Sequence, residues 1–124
     1  MDRIERLRTF DPNSPPDDLS YDEVRQSFLI RLQRERTDLV VRLKALTSAA
    51  QAPEAAYRNL EEFAHRLRGA AAVFAFSELQ ESAKVLEFAA KAALHEKAPA
   101  DDLRVRGAAR ELHSQLTRSI GDAQ

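Results

Sequence analysis

Apolar residues recur every three or four positions in four stretches of the chain, which is the spacing of amphipathic helices. Ser20 and Glu23 have the spacing of a capping box, so we expect the first helix to start there and to run for about seven turns. Its predicted inward positions are Tyr21, Val24, Phe28, Leu32, Leu39, Leu43 and Leu46. Pro53 suits the first turn of a second helix. The inward positions of that helix are Ala56, Leu60, Phe63, Leu67, Ala70 and Phe74.

Ser77 and Gln80 repeat the capping-box spacing and predict the start of a third helix. Its inward positions are Leu79, Ala83, Leu86, Ala90 and Leu94. Pro99 and Asp101 mark a break before a fourth helix, for which Gly121 is the expected C-terminal stop. The inward positions of the fourth helix are Val105, Ala109, Leu112 and Leu116. Four amphipathic helices joined by short breaks predict an all-α fold, an antiparallel up-down-up-down four-helix bundle.

The proline-rich segment 11–17 cannot continue a helix and separates a short N-terminal arm from the bundle. We therefore divide the chain into an arm with its linker, residues 1–19, and a four-helix domain, residues 20–124. Ile30 and Val41 lie roughly opposite the main apolar stripe of the first helix, at about 100° of rotation per residue. Either the arm covers these two residues with its own apolar side chains, or a partner binds them.

Length and charge narrow the classes of protein further. The 124 residues suit one domain with a single core. Lys and Arg number 19 against 20 Asp and Glu, so no overall field would hold the chain on nucleic acid or an anionic membrane. The absence of cysteine excludes disulfides, thiolate zinc sites and a cysteine nucleophile. With no apolar run of membrane-spanning length and no signal-peptide pattern at the N-terminus, we expect a cytoplasmic protein.

The sequence also lacks the common motifs of a self-sufficient enzyme. It has no Walker-type glycine loop, no G-x-S-x-G turn and no H-E-x-x-H pair, so we expect that the protein is not an enzyme. Among its three histidines, His95 lies near the end of the third helix and His113 flanks the apolar stripe of the fourth. Neither has a second ligand at metal-binding spacing. We interpret both as structural and predict no metal site.

His65 differs because the inward residues of the second helix lie on its opposite side, so its ring is predicted to face solvent. Its neighbours on the same face are Arg58, Glu61, Arg68, Gly69 and Ala72. A solvent-facing histidine is most often an ordinary surface residue. Gly69 favours a function, because a glycine inside a helix costs roughly 0.5–1 kcal/mol relative to alanine and a closely approaching partner would explain it. Arg68 is placed to contact a negative group attached to His65.

The run from Ala64 to Ala72, followed by Leu79 and the pair Leu86-Glu87, resembles the histidine-containing phosphotransfer (HPt) domain family. The family signature is His, a hydrophobic residue two positions on, Lys then Gly, small residues, and a Leu-Glu pair downstream. The resemblance implies that His65 is phosphorylated on a ring nitrogen and exchanges the phosphoryl group with aspartates of receiver domains. It also implies that Gly69 admits the receiver.

Three further positions are unusual, two against the family pattern and one against ordinary helix composition. Arg68 stands where the family commonly has lysine, so its phosphate contact is expected to be bidentate rather than point-like. Ala75 stands where the family often has a second glycine, a change that would narrow the approach to the site or select partners. Gly107 lies inside the fourth helix, where close packing is one explanation.

The resemblance implies a phosphorelay intermediate of two-component signalling, with response-regulator receiver domains and a hybrid histidine kinase as partners. In this interpretation His65 is the phosphoacceptor and Arg68 stabilises the phosphoryl group. The residues expected to dock the partner are Gly69, Ala72, Glu61 and Arg58. We expect a monomer. We also expect no cofactor of its own, because a receiver can supply an acidic pocket and Mg²⁺.

Two other functions stay open at this stage. The first is a non-phosphorylated helical adaptor that binds a kinase or receiver and regulates it sterically, an option that the changes at Arg68 and Ala75 and the patch of Ile30 and Val41 support. The second is a purely structural bundle that dimerises. This second option leaves Gly69 on the exposed side of its helix unexplained.

Overall fold

The computed structural model describes residues 18–48, 53–96 and 99–122. Its elements are the four helices α1 (Asp18–Ser48), α2 (Glu54–Val73), α3 (Ser77–Glu96) and α4 (Pro99–Asp122). Each helix packs against the next, and α4 returns against α1 to close the bundle. Within the described ranges there is no strand, and no helix is both long and apolar enough to cross a membrane. The predicted all-α four-helix bundle is confirmed.

The helix starts lie close to the predicted capping sequences without matching them position for position. α1 begins at Asp18, so Ser20 lies inside its first turn rather than in front of it. α3 begins at Ser77, and the carbonyl of Phe76 accepts the first helical hydrogen bond, from the amide of Gln80 at 2.8 Å. Phe76 therefore occupies the capping position that the sequence pattern assigned to Ser77.

The two ends of α4 also differ from the predicted positions. Pro99 is the first residue of the helix, where its missing N–H leaves no hydrogen bond unmade. Asp101, predicted to precede the helix, is buried in its first turn with Oδ1 3.0 Å from Nη1 of Arg104. A carboxylate there suits the positive end of the helix dipole. Gly121 does not stop α4, which continues for one more residue.

The core is formed by the inward stripes of all four helices. Its large, fully buried side chains include Leu32, Leu39, Leu60, Phe63, Leu67, Leu79, Leu86, Val105, Leu112 and Leu116. The prediction that Val24 points inward is wrong: Val24 is 54% exposed, because Arg25 lies one turn before the buried pair Phe28 and Leu29. Burying one Leu or Phe side chain contributes about 1.5–3 kcal/mol. The stripe on α2 therefore fixes that helix with its opposite side toward solvent.

The turn between α2 and α3 contains a residue in the left-handed conformation. Ala75 has φ 60°, a region where residues other than glycine cost about 1–2 kcal/mol. The amide of Phe76 donates to Ala71 O at 3.0 Å and that of Ala75 donates to Ala72 O at 3.2 Å, the two hydrogen bonds of a Schellman motif. Glycine is the residue that suits this position best. The expectation that Ala75 narrows a partner's approach stays a prediction.

Aromatic rings join α1 to this turn. The ring of Phe28 stacks on Phe74 with centroids 4.5 Å apart and meets Phe76 edge-on at 5.4 Å. The guanidinium of Arg25 lies 4.9 Å from the Phe76 ring centroid, on its face. These contacts hold the turn, and so the relative register of α2 and α3, against the first helix.

A polar network ties three helices together between the start of α2 and the start of α4. The Tyr57 hydroxyl donates to Asp102 Oδ1 at 2.6 Å, and Arg106 donates to Asp102 Oδ2 at 2.6 Å and to Thr47 Oγ1 at 2.9 Å. Burial, with the hydrogen bond to Asp102, raises the pKa of Tyr57 to about 12. The hydrogen bond from Tyr57 holds the pKa of the Asp102 carboxyl below its ordinary value.

The apolar patch on the outer side of α1 and Gly107 in the middle of α4 are both exposed to solvent. Ile30 and Val41 are exposed. Most of the arm predicted to cover them, residues 1–17, lies outside the described residues, so the arm and the domain division at residue 20 stay predictions. A Cβ added to Gly107 would meet no atom within 4 Å. Close packing therefore does not explain this glycine.

Candidate functional site

His65 lies on the outer side of α2, as its position in the helical repeat predicts. Its side chain is 66% exposed. Ala64 and Leu67, which lie close to it in the sequence but on the inward side of α2, are completely buried. The Nδ1 atom of His65 lies 2.9 Å from Oε2 of Glu87 on α3. The ring is therefore accessible to solvent while one of its two nitrogens is held by the neighbouring helix.

Glu87 is an acidic residue on a stripe that is otherwise apolar. It follows Leu86 and precedes Ala90 by one turn, both of which are completely buried, and its own side chain is only 4% exposed. A buried carboxylate is costly unless it is paired. Arg68 Nη1 lies 3.0 Å from Oε1 and Lys91 Nζ lies 3.7 Å from Oε2. Two cations and the imidazole of His65 thus surround one carboxylate.

The two oxygens of Glu87 are not equivalent. Oε2 takes part in the hydrogen bond with His65, whereas no donor hydrogen among the described residues is directed at Oε1. The nearby Arg68 guanidinium compensates the charge of Oε1 as an ion pair without the alignment of a hydrogen bond. Arg68 therefore neutralises Oε1, and because its side chain is 33% exposed its remaining N–H groups can contact a second anion.

The contact with Glu87 fixes the chemistry of the imidazole. An ionised carboxylate can only accept hydrogen bonds, so in the neutral ring the hydrogen sits on Nδ1. The lone pair of Nε2 then lies on the opposite side of the ring, away from Glu87. Such a ring offers one nucleophilic nitrogen to solvent, held in a fixed orientation by a carboxylate that also stabilises positive charge on the ring.

The other predicted site residues lie around His65. Gly69 and Ala72 are exposed on the turns that follow it, and a Cβ added to Gly69 would meet no atom within 4 Å. Nothing within the described structure therefore requires glycine at position 69. Arg58 and Glu61 line an open recess of about 730 Å³ beside His65. The exposed face of α2 thus combines a small-residue platform on one side of the ring with a polar recess on the other.

Sequence reasoning missed two members of the site. In the sequence, Glu87 stands out only as part of the Leu-Glu pair, with no contact predicted for it, and no pattern points to Lys91. Glu87 could have been found from the sequence, because it is an acidic residue between Leu86 and Ala90 on the inward side of a helix. Lys91 also lies 3.9 Å from Oε2 of Glu61, which links that predicted docking residue to the Glu87 cluster.

The remaining histidines lie apart from this cluster. His95 is exposed in the last turn of α3, as predicted, and His113 is half-buried on α4. Among the described residues, no group of His, Cys, Asp or Glu side chains is arranged to hold a metal ion. Of the three histidines, His65 is the one that lies within the charged cluster around Glu87.

Comparison with known protein families matches residues 23–120 to the Hpt domain, which confirms the resemblance seen in the sequence. No curated protein and no solved structure matches the chain. Hpt domains have a phosphotransfer role in two-component signalling and interact there with receiver domains and histidine kinases. Because the match extends over most of the 124 residues, the protein belongs to the Hpt domain family.

Proposed function

We propose that the protein is a phosphorelay intermediate in which His65 accepts a phosphoryl group from one receiver domain and passes it to another. The observation that carries this proposal is the 2.9 Å contact between Nδ1 of His65 and the buried Glu87, made by a ring that is otherwise exposed. One ring nitrogen is fixed and the other is open. In-line phosphoryl transfer depends mainly on such positioning and on charge neutralisation, which suits a chain without catalytic motifs.

In the transfer step, the Nε2 lone pair attacks the phosphorus of an aspartyl phosphate on the receiver. The P–N bond forms while the P–O bond to the aspartate breaks, and the electron pair of that bond leaves with the carboxylate. No proton has to leave Nε2 when the ring hydrogen is on Nδ1, which then donates a hydrogen bond to Oε2 of Glu87. The ring gains positive charge in this step, and the Glu87 carboxylate balances it. The reverse bond changes deliver the phosphoryl group to the next aspartate.

Arg68 and Lys91 bring positive charge to the phosphoryl group in this scheme. Both contact Glu87 in the unphosphorylated protein. A phosphoryl group on Nε2 adds a second anion, toward which we expect these long side chains to turn. A guanidinium matches phosphate oxygens bidentately. Gly69 and Ala72 leave room for the receiver beside the ring. The receiver supplies the acidic pocket and Mg²⁺, so this chain needs no cofactor of its own.

The test is phosphate uptake by the full chain from phosphorylated receiver domains of the source organism. We expect an acid-labile label on the wild type and on the control variants His95→Gln and His113→Gln. The label should be lost in His65→Gln, whose helical content should match the wild type by circular dichroism because the substituted side chain is exposed.

A label that persists in His65→Gln would overturn the assignment of the phosphoacceptor. If no receiver labels the wild type and receivers bind His65→Ala as tightly as the wild type, the protein is a steric adaptor instead. The exposed residues Ile30 and Val41 on α1 offer such an adaptor a second contact surface.

A further inference from the structure

Phe88 is an exposed aromatic residue beside the His65 site. It directly follows Glu87 on α3 and is 51% exposed. The other large exposed hydrophobic residues in the described part of the chain are all aliphatic. Single exposed aliphatic residues are ordinary on protein surfaces. A half-exposed phenyl ring next to a reactive group is a stronger indication of an interaction surface, because aromatic side chains contribute large areas to interfaces.

Three cations surround the Phe88 ring. Its centroid lies 5.9 Å from the Arg68 guanidinium carbon, 5.8 Å from Lys84 Nζ and 5.9 Å from Lys91 Nζ. The chain as a whole has a net charge of -1, so this concentration of positive charge is local. An apolar centre with a positive rim is complementary to an apolar depression with an acidic rim.

The ring is continuous with the His65 site. Arg68 contacts the Glu87 carboxylate and the face of Phe88, and Lys91 does the same from the next turn of α3. A body that transfers a phosphoryl group to Nε2 of His65 must bring its reacting atom to about 3–3.5 Å. An interface of standard size covers about 800 Å² on each partner, which corresponds to a circle of about 16 Å radius. A partner centred on this site therefore also covers Phe88.

We propose that Phe88 anchors the docked receiver and that its rim of Arg68, Lys84 and Lys91 selects receivers with carboxylates around the receiving depression. The inference rests on the proposed function and names the surface chemistry of its partner. A receiver that carries an acceptor aspartate and Mg²⁺-binding carboxylates presents an acidic face, which the positive rim of this chain complements. Phe88 supplies affinity, and the cations supply steering and choice of partner.

The test uses a receiver that labels the wild-type chain and measures the rate of phosphotransfer as a function of receiver concentration. The variants are Phe88→Ala, Lys84→Glu and the control Leu103→Ala, which removes a side chain that is 72% exposed on α4. We expect Phe88→Ala to raise KM about ten-fold or more with kcat within about three-fold of the wild type. Lys84→Glu should raise KM and weaken its dependence on salt. Leu103→Ala should match the wild type.

A KM for Phe88→Ala within two-fold of the Leu103→Ala value would overturn the proposal. So would a fall in kcat at unchanged KM, because the ring would then position Arg68 rather than dock the receiver. If no receiver labels the wild type, the proposed function fails, and Phe88 is judged by calorimetric binding of the same receivers. Equal Kd values for the wild type and Phe88→Ala would then overturn the docking role by itself.

Discussion

Nδ1 of His65 lies 2.9 Å from Oε2 of Glu87, so an exposed imidazole is oriented by a carboxylate that is almost completely buried. Glu87 is fixed by its place on the inward stripe of α3 and by the cations Arg68 and Lys91. The ring can thus meet a partner without losing its orientation. The core, rather than the surface, determines which nitrogen of His65 is presented.

Removing the carboxylate of Glu87 should slow phosphotransfer while the chain stays folded. A hydrogen bond to a charged group is worth about 1.5–3 kcal/mol, so we expect Glu87→Ala to transfer about 10- to 100-fold more slowly than the wild type. Glu87→Gln should lose less, because its amide oxygen can still accept from Nδ1. Single-turnover transfer from a phosphorylated receiver measures both rates. A wild-type rate in Glu87→Ala would show that the contact has no part in the reaction.

Two exposed glycines inside helices allow a matched comparison of stability and function. An added Cβ meets nothing within 4 Å at Gly69 or at Gly107. Each Gly→Ala change should therefore raise the free energy of unfolding by about 0.5–1 kcal/mol, measured by urea denaturation. Only Gly69→Ala should also slow phosphotransfer, because only this site lies beside His65. Unchanged transfer by Gly69→Ala would argue against close approach of a partner at that position.

Replacing Ala75 by glycine should stabilise the protein. Its φ of 60° strains an alanine but not a glycine, and we expect a net gain of about 0.5–1 kcal/mol after the greater freedom of glycine in the unfolded chain. The control is Ala45→Gly in α1, which should lose a similar amount since glycine is a poor helix former. Midpoints of urea unfolding measure both. A destabilised Ala75→Gly would mean that the turn does not need the left-handed conformation.

Tyr57 should make the stability of the bundle depend on alkaline pH. Its pKa is raised to about 12 in the folded protein, so between pH 10 and pH 12 the folded state keeps a proton that the unfolded state loses. The stabilising contribution is complete below pH 10 and is lost as pH rises through 12, by about 2–3 kcal/mol in all. The difference in unfolding free energy between the wild type and Tyr57→Phe should therefore shrink over that range. A difference in unfolding free energy that stays constant from pH 10 to pH 12 would contradict the raised pKa of Tyr57.

Asp102 should make the stability of the bundle depend on acidic pH, in the direction opposite to that of Tyr57: stability is lost as pH falls. Its folded pKa is lowered, chiefly by the Tyr57 hydroxyl, so its contribution is present above the unfolded pKa and is lost as pH falls through the folded one. Asp102→Asn should therefore remove part of the acid sensitivity of unfolding. The check is the same urea titration carried out below pH 5, with Asp22→Asn, at an exposed position on α1, as the control.

The helical repeat alone was enough to place His65 outside and the core residues inside, because both follow from 3.6 residues per turn. It could not give the contact between His65 and Glu87, since that depends on how far α3 is shifted along α2. The register is set by the turn between them, and Ala75 gave no turn signal because alanine favours helices. The exposure of Val24 has a different cause: one turn before the buried pair Phe28 and Leu29 the inward position belongs to Arg25, whose guanidinium lies over the Phe76 ring.

The proposed phosphoacceptor and the groups that orient it, stabilise its charge and flank its docking surface all lie on the α2–α3 hairpin. His65 and Glu87 are 22 positions apart in the chain and are joined through one short turn. The reacting part of the protein is therefore a local unit, with α1 and α4 as its scaffold. Substitutions on the outer sides of α1 and α4 can reshape what the protein binds without readjusting the groups that hold the imidazole.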